Sequence, residues 1–226
     1  MPARKTKAQY PEDPVQTHWG HRLKAVKDRL ESNNFQVLTA ESSGQAKDMA
    51  LEALRQRAPC LVSWGGSKTF VQTGLYEAVL ADPAFRVLDT YAKNMTREES
   101  IERRRQALLA DVFVTGTNAL TEQGHLVNLD MIGNRVAALT FGPKYVLILV
   151  GRNKIVPDLS SAMDRIKRYS APVNAVRLGK KTPCAKTGVC QDCRSPERIC
   201  NTWTVSEKSF PAGRVCVVLI NEDLGF

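Results

Sequence analysis

Apolar residues at Leu23, Val26 and Leu30 recur at helical spacing and predict a helix from Val15 to Asn34. Phe35–Thr39 reads as a strand, and Ser42 or Ser43 caps a helix through Arg57 with Ala46, Met49, Ala50, Ala53 and Leu54 on one face. Cys60–Trp64 is a short apolar strand, followed by Gly65-Gly66-Ser67 and a helix from Lys68 to Leu80. A strand over 85–89 precedes Thr96-x-x-Glu99, a capping box that opens a helix to Leu109. Asp111–Thr115 and Leu126–Leu129 are strands, with a hairpin turn at Gln123-Gly124. Met131–Ala138 is helical, and Tyr145–Val150 is the clearest buried strand. Asp158 or Ser160 caps a helix to Tyr169, and Arg214–Ile220 supplies the last strand. Strands alternating with helices of this length predict an α/β fold: a mostly parallel sheet with helices on both faces.

Composition narrows this little. At 226 residues, the chain is read as a flexible tail over 1–14 and one α/β domain over 15–226, with a cysteine-rich segment at 180–201. Hydrophobic residues at 43% and charged residues at 24% exclude global disorder. The apolar run Val146–Val150 falls far short of the ~20 residues of a membrane-spanning helix. The basic start has no apolar stretch behind it, so no export signal is read and a cytoplasmic location is expected. The net charge is 32 − 23 = +9, but basic residues mix with acids in Arg97–Glu99 and Glu102–Arg105, as on a solvated helix face. No nucleic-acid motif accompanies the charge, so an anionic small molecule is favoured over nucleic acid as a partner; a zinc-stabilised nucleic-acid-binding protein is the third-ranked reading.

Ligands of open α/β sheets bind beyond the carboxyl ends of strands. One such loop contains Gly65, Gly66, Ser67 and Thr69: glycines admit an anion to the backbone, and the hydroxyls add donors. The same residues also suit a tight turn with Ser67 as helix cap. A second loop carries Gly116, Thr117 and Asn118 and continues through Glu122, Gly124, Asn128 and Asp130. Glu122 and Asp130 there are candidates for acid–base work; equally, such residues satisfy turn backbone or face solvent. Arg135, Asn153 and Lys154 either touch substrate or support the fold. Cys60 and Cys216 lie in strand-like runs and read as buried small hydrophobes.

Cys184, Cys190, Cys193 and Cys200 fall within 17 residues, as Cys-x5-Cys-x2-Cys-x6-Cys. Four soft thiolates select zinc or a 4Fe–4S cluster, and the spacing fits neither standard template. Lys180, Lys181, Lys186, Arg194 and Arg198 surround them and offset thiolate charge. Free or redox-paired thiols are the competing reading.

Several separated motifs carry a resemblance: Ala110–Asp130, Gly133–Ala137, Phe141–Lys144, Val150–Val156, the Gly65-Gly66-Ser67 loop and Asn221–Gly225. Together they resemble the lactate-utilization (LUD) domain proteins of the LutC/YkgG type, from about residue 15 to the end. The resemblance implies a fold like the NagB/ribose-phosphate isomerase/CoA-transferase group, whose members bind phosphosugars, CoA esters or nucleotides at strand ends. By that analogy Gly65, Gly66 and Ser67 sit at an anion-binding loop, and Gly116, Thr117, Asn118 and Glu122 at the cleft. Asn118 departs from the carboxylates of the sugar isomerases and cannot exchange a proton near neutral pH. The resemblance further implies an accessory subunit of lactate or related 2-hydroxy acid utilization, working beside iron–sulfur partner subunits of a lactate-oxidising complex. Its four-cysteine site would hold a metal for structure or electron transfer. The second-ranked reading is a free-standing enzyme on a phosphosugar or CoA ester, with Glu122 or Asp130 as base or nucleophile.

Overall fold

A computed structural model describes residues 13–226, so most of the expected tail over 1–14 lies outside the described residues. The strands in chain order are β1 (Gln36–Ala40), β2 (Cys60–Trp64), β3 (Phe85–Leu88), β4 (Val112–Gly116), β5 (Ala119–Thr121), β6 (Leu126–Asp130), β7 (Tyr145–Gly151), β8 (Ile155–Val156), β9 (Thr202–Ser206) and β10 (Val215–Ile220). The α-helices are α1 (Pro14–Ser32), α2 (Ser43–Arg55), α3 (Lys68–Gln72), α4 (Leu75–Ala81), α5 (Arg97–Gln106), α6 (Asn134–Thr140), α7 (Leu159–Arg165), α8 (Ala171–Arg177) and α9 (Pro183–Thr187).

Six strands form a sheet in the order β1-β10-β7-β4-β2-β3, and every neighbouring pair is parallel. Every residue of β4, β7 and β10 is buried, as a parallel sheet covered on both faces requires. Alternate side chains divide between two cores. Val62, Trp64, Val114, Leu147, Leu149 and Val218 pack under α2, α3 and α4, joined by Cys60 and Cys216 as buried hydrophobes. Val146, Ile148, Val150, Val217 and Leu219 pack on the opposite face with Leu23, Val26 and Leu30 of α1. Burying each of those three residues contributes about 1.5–3 kcal/mol, which fixes a helix otherwise polar along its length.

The remaining strands form a second sheet, β8-β5-β6-β9, which the apolar pattern does not predict. It is mixed: β5 pairs parallel with β8 and antiparallel with β6, and β6 pairs antiparallel with β9. The hairpin turn at Gln123-Gly124 forms as expected, with Gly124 at φ 83°. Three helix boundaries differ from those the sequence predicts. The span expected from Lys68 to Leu80 breaks into α3 and α4 at Gly74, whose φ of 76° is left-handed. Phe70, Leu75 and Val79 still face one core across that break, so periodicity alone does not show it. The helix after Met131 begins only at Asn134, behind Gly133 at φ 87°. The helix capped by Asp158 does not stop at Tyr169 but runs through a π-turn at Ile166–Ser170 into α8. The Thr96/Glu99 capping box is present with both reciprocal bonds. No helix among the described residues is long and apolar enough to cross a membrane.

Candidate functional site

Because the six-stranded sheet is wholly parallel, the loops leaving β2, β4, β7 and β10 emerge from adjacent strands at one edge. The β2 loop is pinned there. Gly65 N–H donates to the Val114 carbonyl at 3.1 Å, Ser67 N–H donates to the Tyr91 hydroxyl at 3.0 Å, and that hydroxyl donates to the Gly65 carbonyl at 2.7 Å. Burial pushes the Tyr91 hydroxyl up to about 12, so it keeps its proton and its donor role across the physiological range. Ser67 Oγ accepts from Phe70 N–H at 3.2 Å and caps α3.

The glycines serve close approach. A Cβ on Gly116 would lie 2.7 Å from Ser67 Oγ, and one on Gly65 would lie 3.0 Å from Arg135 Cγ and the Phe113 ring. The β2 and β4 loops therefore touch each other and Arg135, while Gly66 faces open space. With only five residues, α3 contributes little dipole at its N-terminus. Charge at this edge comes instead from side chains.

Arg135, only 6% exposed, is the hub. Its guanidinium donates to Asn118 Oδ1 at 2.7 Å, to Asn128 Oδ1, and to the carbonyls of Gly116 at 3.3 Å and Leu129 at 3.2 Å. Asp130 lies 3.6 Å from Arg135 Nε and accepts from its backbone N–H at 3.1 Å. Burial holds the guanidinium below its ordinary value, opposed by the Asp130 charge. Thr117 Oγ1 bonds to the Ala119 and Val127 carbonyls, tying the hairpin beneath. Half-buried Arg165 adds a second guanidinium, which donates to the carbonyls of Asn118 at 2.9 Å and Asn153 at 3.1 Å. Asn118 thus joins both arginines, one through its side chain and one through its carbonyl.

Lys154 completes the cluster. It follows β7, is 4% exposed, and donates through Nζ to Thr69 Oγ1 at 2.8 Å. Among the described residues neither Lys154 nor Arg165 has a carboxylate within ion-pair distance. Burial, and then the positive charges of Arg165 and Arg135, bring the Lys154 ammonium down to about 7. Gly225, at φ 68°, lies against the pair: a Cβ there would fall 2.6 Å from Thr69 Oγ1 and 2.9 Å from Lys154 Nζ. Asn153 Oδ1 fixes this covering segment by accepting from Leu224 N–H at 3.2 Å. Three cations sharing one carboxylate leave a surplus of buried positive charge at this strand-end edge.

The predicted site residues divide between this edge and elsewhere. Gly65, Ser67, Thr69, Gly116, Asn118, Asn128 and Asp130 all touch the cluster or support it. Glu122 and Gly124 lie at the far end of the β5–β6 hairpin from Asn118, against α1. Glu122 pairs with Arg22, and Gly124 packs on Leu30 and Asn33. The two carboxylates that the sequence groups in one loop are thus separated, Asp130 bound to Arg135 and Glu122 to Arg22. Lys154 and Arg165 supply the missing charge. The sequence singles out Lys154 by its place in the Val150–Val156 motif, three residues after the buried β7 and just before the apolar pair Ile155-Val156, and gives no signal for Arg165.

Cys184 on α9 and Cys190, Cys193 and Cys200 in the loop before β9 line one small cavity, and all are free thiols. As the side chains stand, no three His, Cys, Asp or Glu groups among the described residues are drawn together closely enough to hold a metal. The loop backbone is nevertheless fixed. Arg198 donates to the carbonyls of Cys193 at 2.6 Å and Cys200 at 2.9 Å and pairs with Asp192, which also takes Lys167.

The fold and this edge define an α/β protein with a mostly parallel sheet and a buried cluster of cations at its strand ends. The chain belongs to the LUD domain family, whose sequence model matches residues 23–220. That membership supports a role related to lactate utilization. Among solved structures, the chain is similar to a DUF162 family protein from Deinococcus radiodurans at 16% identity, covering 89% of this chain and 97% of that one with a TM-score of 0.49. It is also similar to eIF2B delta from Chaetomium thermophilum at 15% identity, covering 64% of this chain and 53% of that one with a TM-score of 0.28. No curated protein matches.

Proposed function

We propose that this chain is an accessory subunit of lactate or related 2-hydroxy acid utilization that binds a small anionic ligand at the β2, β4 and β7 strand ends. The observation carrying this reading is Lys154, a buried ammonium with two arginines beside it and a single hydroxyl as its hydrogen-bond partner. A buried cation without a counter-charge costs stability, and a carboxylate or phosphate supplies that counter-charge. Asn118, Asn128 and Asp130 serve here as the brace that holds Arg135, and Thr69 orients Lys154. An α/β relationship to the phosphosugar-isomerase and CoA-transferase group agrees with a ligand at this edge but assigns no chemistry. Lactate and pyruvate, as small monocarboxylates, match this cationic edge in charge. The four cysteines form a second centre that takes a metal, either structural or in the path of electrons to iron–sulfur partner subunits.

Calorimetric titration with lactate, pyruvate and inorganic phosphate tests the ligand class. Saturable binding of at least one of them near neutral pH, weakened as another is added in competition, is expected. Heats that never saturate with any of the three would contradict an anion site.

A further inference from the structure

We infer that the edge where the parallel strands begin, opposite Lys154, is an interface between two copies of this chain, with Leu109, Phe141 and Phe210 as its anchors. Each of these residues stands in the loop that enters one of three adjacent strands. Leu109 precedes β4, Phe141 precedes β7 and Phe210 precedes β10, and the sheet order sets those strands side by side as β10-β7-β4. Neighbouring strands lie about 4.8 Å apart, so the three loops form one row roughly 10 Å across. Leu109 is 84% exposed, Phe141 85% and Phe210 90%, the three highest values for large hydrophobic residues among the described residues. Pro211 and Ala212, also exposed, extend the row.

The loops are tied to one another, so the row is a fixed surface. Gly142, at φ 115°, lets the Phe141 turn lie on the one before β4: a Cβ there would fall 2.5 Å from the Leu108 carbonyl oxygen. Half-buried Arg214 bridges the β7 and β10 loops, donating to the carbonyls of Leu139 at 2.8 Å, Ala138 at 3.1 Å and Pro143 at 3.1 Å. Beside Phe210, Ser209 Oγ donates to the Pro211 carbonyl at 3.0 Å and accepts from Val215 N–H at 3.2 Å. Ser209 N–H donates to the Asn33 carbonyl at 2.9 Å. Apolar anchors held outward on braced loops lose little conformational freedom when covered, as the core of an interface requires.

Area and charge together select a second copy as the occupant. A stable interface covers about 800 Å² on each partner, a little over half of it apolar, so it needs roughly 450 Å² of apolar surface. Two phenylalanines at these exposures present on the order of 300–400 Å². Leu109, Pro211 and Ala212 bring the row to the required size. The charges beside it are balanced: Lys144 pairs with Asp111 at 2.9 Å, Arg105 with Glu102 at 3.6 Å, and Glu207 adjoins Lys208. Arg214 is turned inward onto its carbonyls. The chain's excess of +9 therefore does not rest on this rim, and two copies can approach here without repulsion. Under a two-fold axis each acid of the rim can face a base of the other copy. A strongly acidic partner would find no basic field to match it.

Sedimentation velocity of the full chain from about 1 to 100 µM reads the association directly. A monomer–dimer equilibrium in the micromolar range or tighter is expected, little changed between about 0.05 and 0.5 M salt because the rim is balanced. Phe141→Ser and Phe210→Ser should each weaken it at least about 30-fold, and the double variant should stay monomeric throughout. Both side chains are exposed, so the variants should unfold at the wild-type denaturant concentration. Hydrogen exchange of the unaltered chain gives a check that needs no substitution: protection over 107–111, 140–144 and 208–213 should rise with protein concentration. A wild-type chain that stays monomeric at the highest concentration would overturn the inference and leave the row to a different protein. So would a dimer that the double variant keeps. The row lies at the opposite ends of the strands from Lys154, so these results and the anion titration succeed or fail independently.

Discussion

Replacing Lys154 with Met is expected to weaken anion binding by at least about 100-fold and, at the same time, to make the protein more stable. Loss of binding follows from removing a buried cation with no carboxylate in ion-pair distance, where a desolvated charge-assisted hydrogen bond to the ligand contributes roughly 2–3 kcal/mol or more. The gain in stability follows from linkage. The Lys154 ammonium falls from 10.5 to about 7 on folding, so the folded state disfavours its proton. A tenfold change in proton affinity is worth about 1.4 kcal/mol, so removing the charge is expected to return on the order of 2–4 kcal/mol after the lost Thr69 hydrogen bond is counted. Between pH 7 and 10.5 the unfolded chain holds a proton that the folded chain does not, so wild-type stability rises with pH through that window. The advantage of Lys154→Met is therefore largest below pH 7 and fades toward pH 10. Urea unfolding of both proteins at pH 6 and pH 9.5 measures it. A variant less stable than wild type at pH 6 would show that the lysine is there to hold the fold.

Arg135→Ala is expected to act in the opposite direction, costing on the order of 3–5 kcal/mol. The substitution removes the guanidinium donor from the side-chain oxygens of Asn118 and Asn128 and from the carbonyls of Gly116 and Leu129, and takes the counter-charge from Asp130; Asn118, Asn128 and Asp130 keep only a backbone N–H each, from Leu129, Asn118 and residue 135. Arg135→Lys should recover little, because an ammonium cannot span the fork between Asn118 and Asn128. Denaturant midpoints for the three proteins test this, and an Ala variant within about 1 kcal/mol of wild type would remove Arg135 as the brace. The two variants thus separate the cations of this edge: Arg135 holds the site together, and Lys154 is kept despite destabilising it.

Much of the main sheet is legible from apolar runs. β2 begins and ends where Cys60 and Trp64 do, and β7 and β10 stand out because every residue is buried. Of the second sheet only the β5–β6 hairpin is legible, through its turn at Gln123-Gly124 and the strand from Leu126. β9, Thr202–Ser206, is half-buried with Thr, Trp, Thr, Val and Ser in turn, a pattern that polar neighbours and the cysteine segment disguise. β8 has two residues and exists only because β5 lies beside it.

The site is legible in its scaffold and not in its charge. Gly65–Thr69 and Gly116–Asn118 follow from glycines at strand ends, whereas the burial of Lys154 depends on Thr69 and Gly225, each some 70 or more residues away in the chain. Glu122 parts from Asp130 for the same reason: its partner Arg22 is 100 residues distant. Ion pairing across such separations is a tertiary property that local spacing does not contain.

The most direct test of an anion site built on Lys154 is the protonation that accompanies binding. Anions favour the ammonium form, so with a free-state value of about 7 the affinity should be level below pH 7 and fall up to tenfold per pH unit above it. Calorimetry at pH 8 in two buffers of different ionisation enthalpy should show close to one proton taken up per anion bound, and none in Lys154→Met. Binding with no proton uptake and no loss of affinity between pH 7 and 9 would contradict Lys154 as the centre of the site.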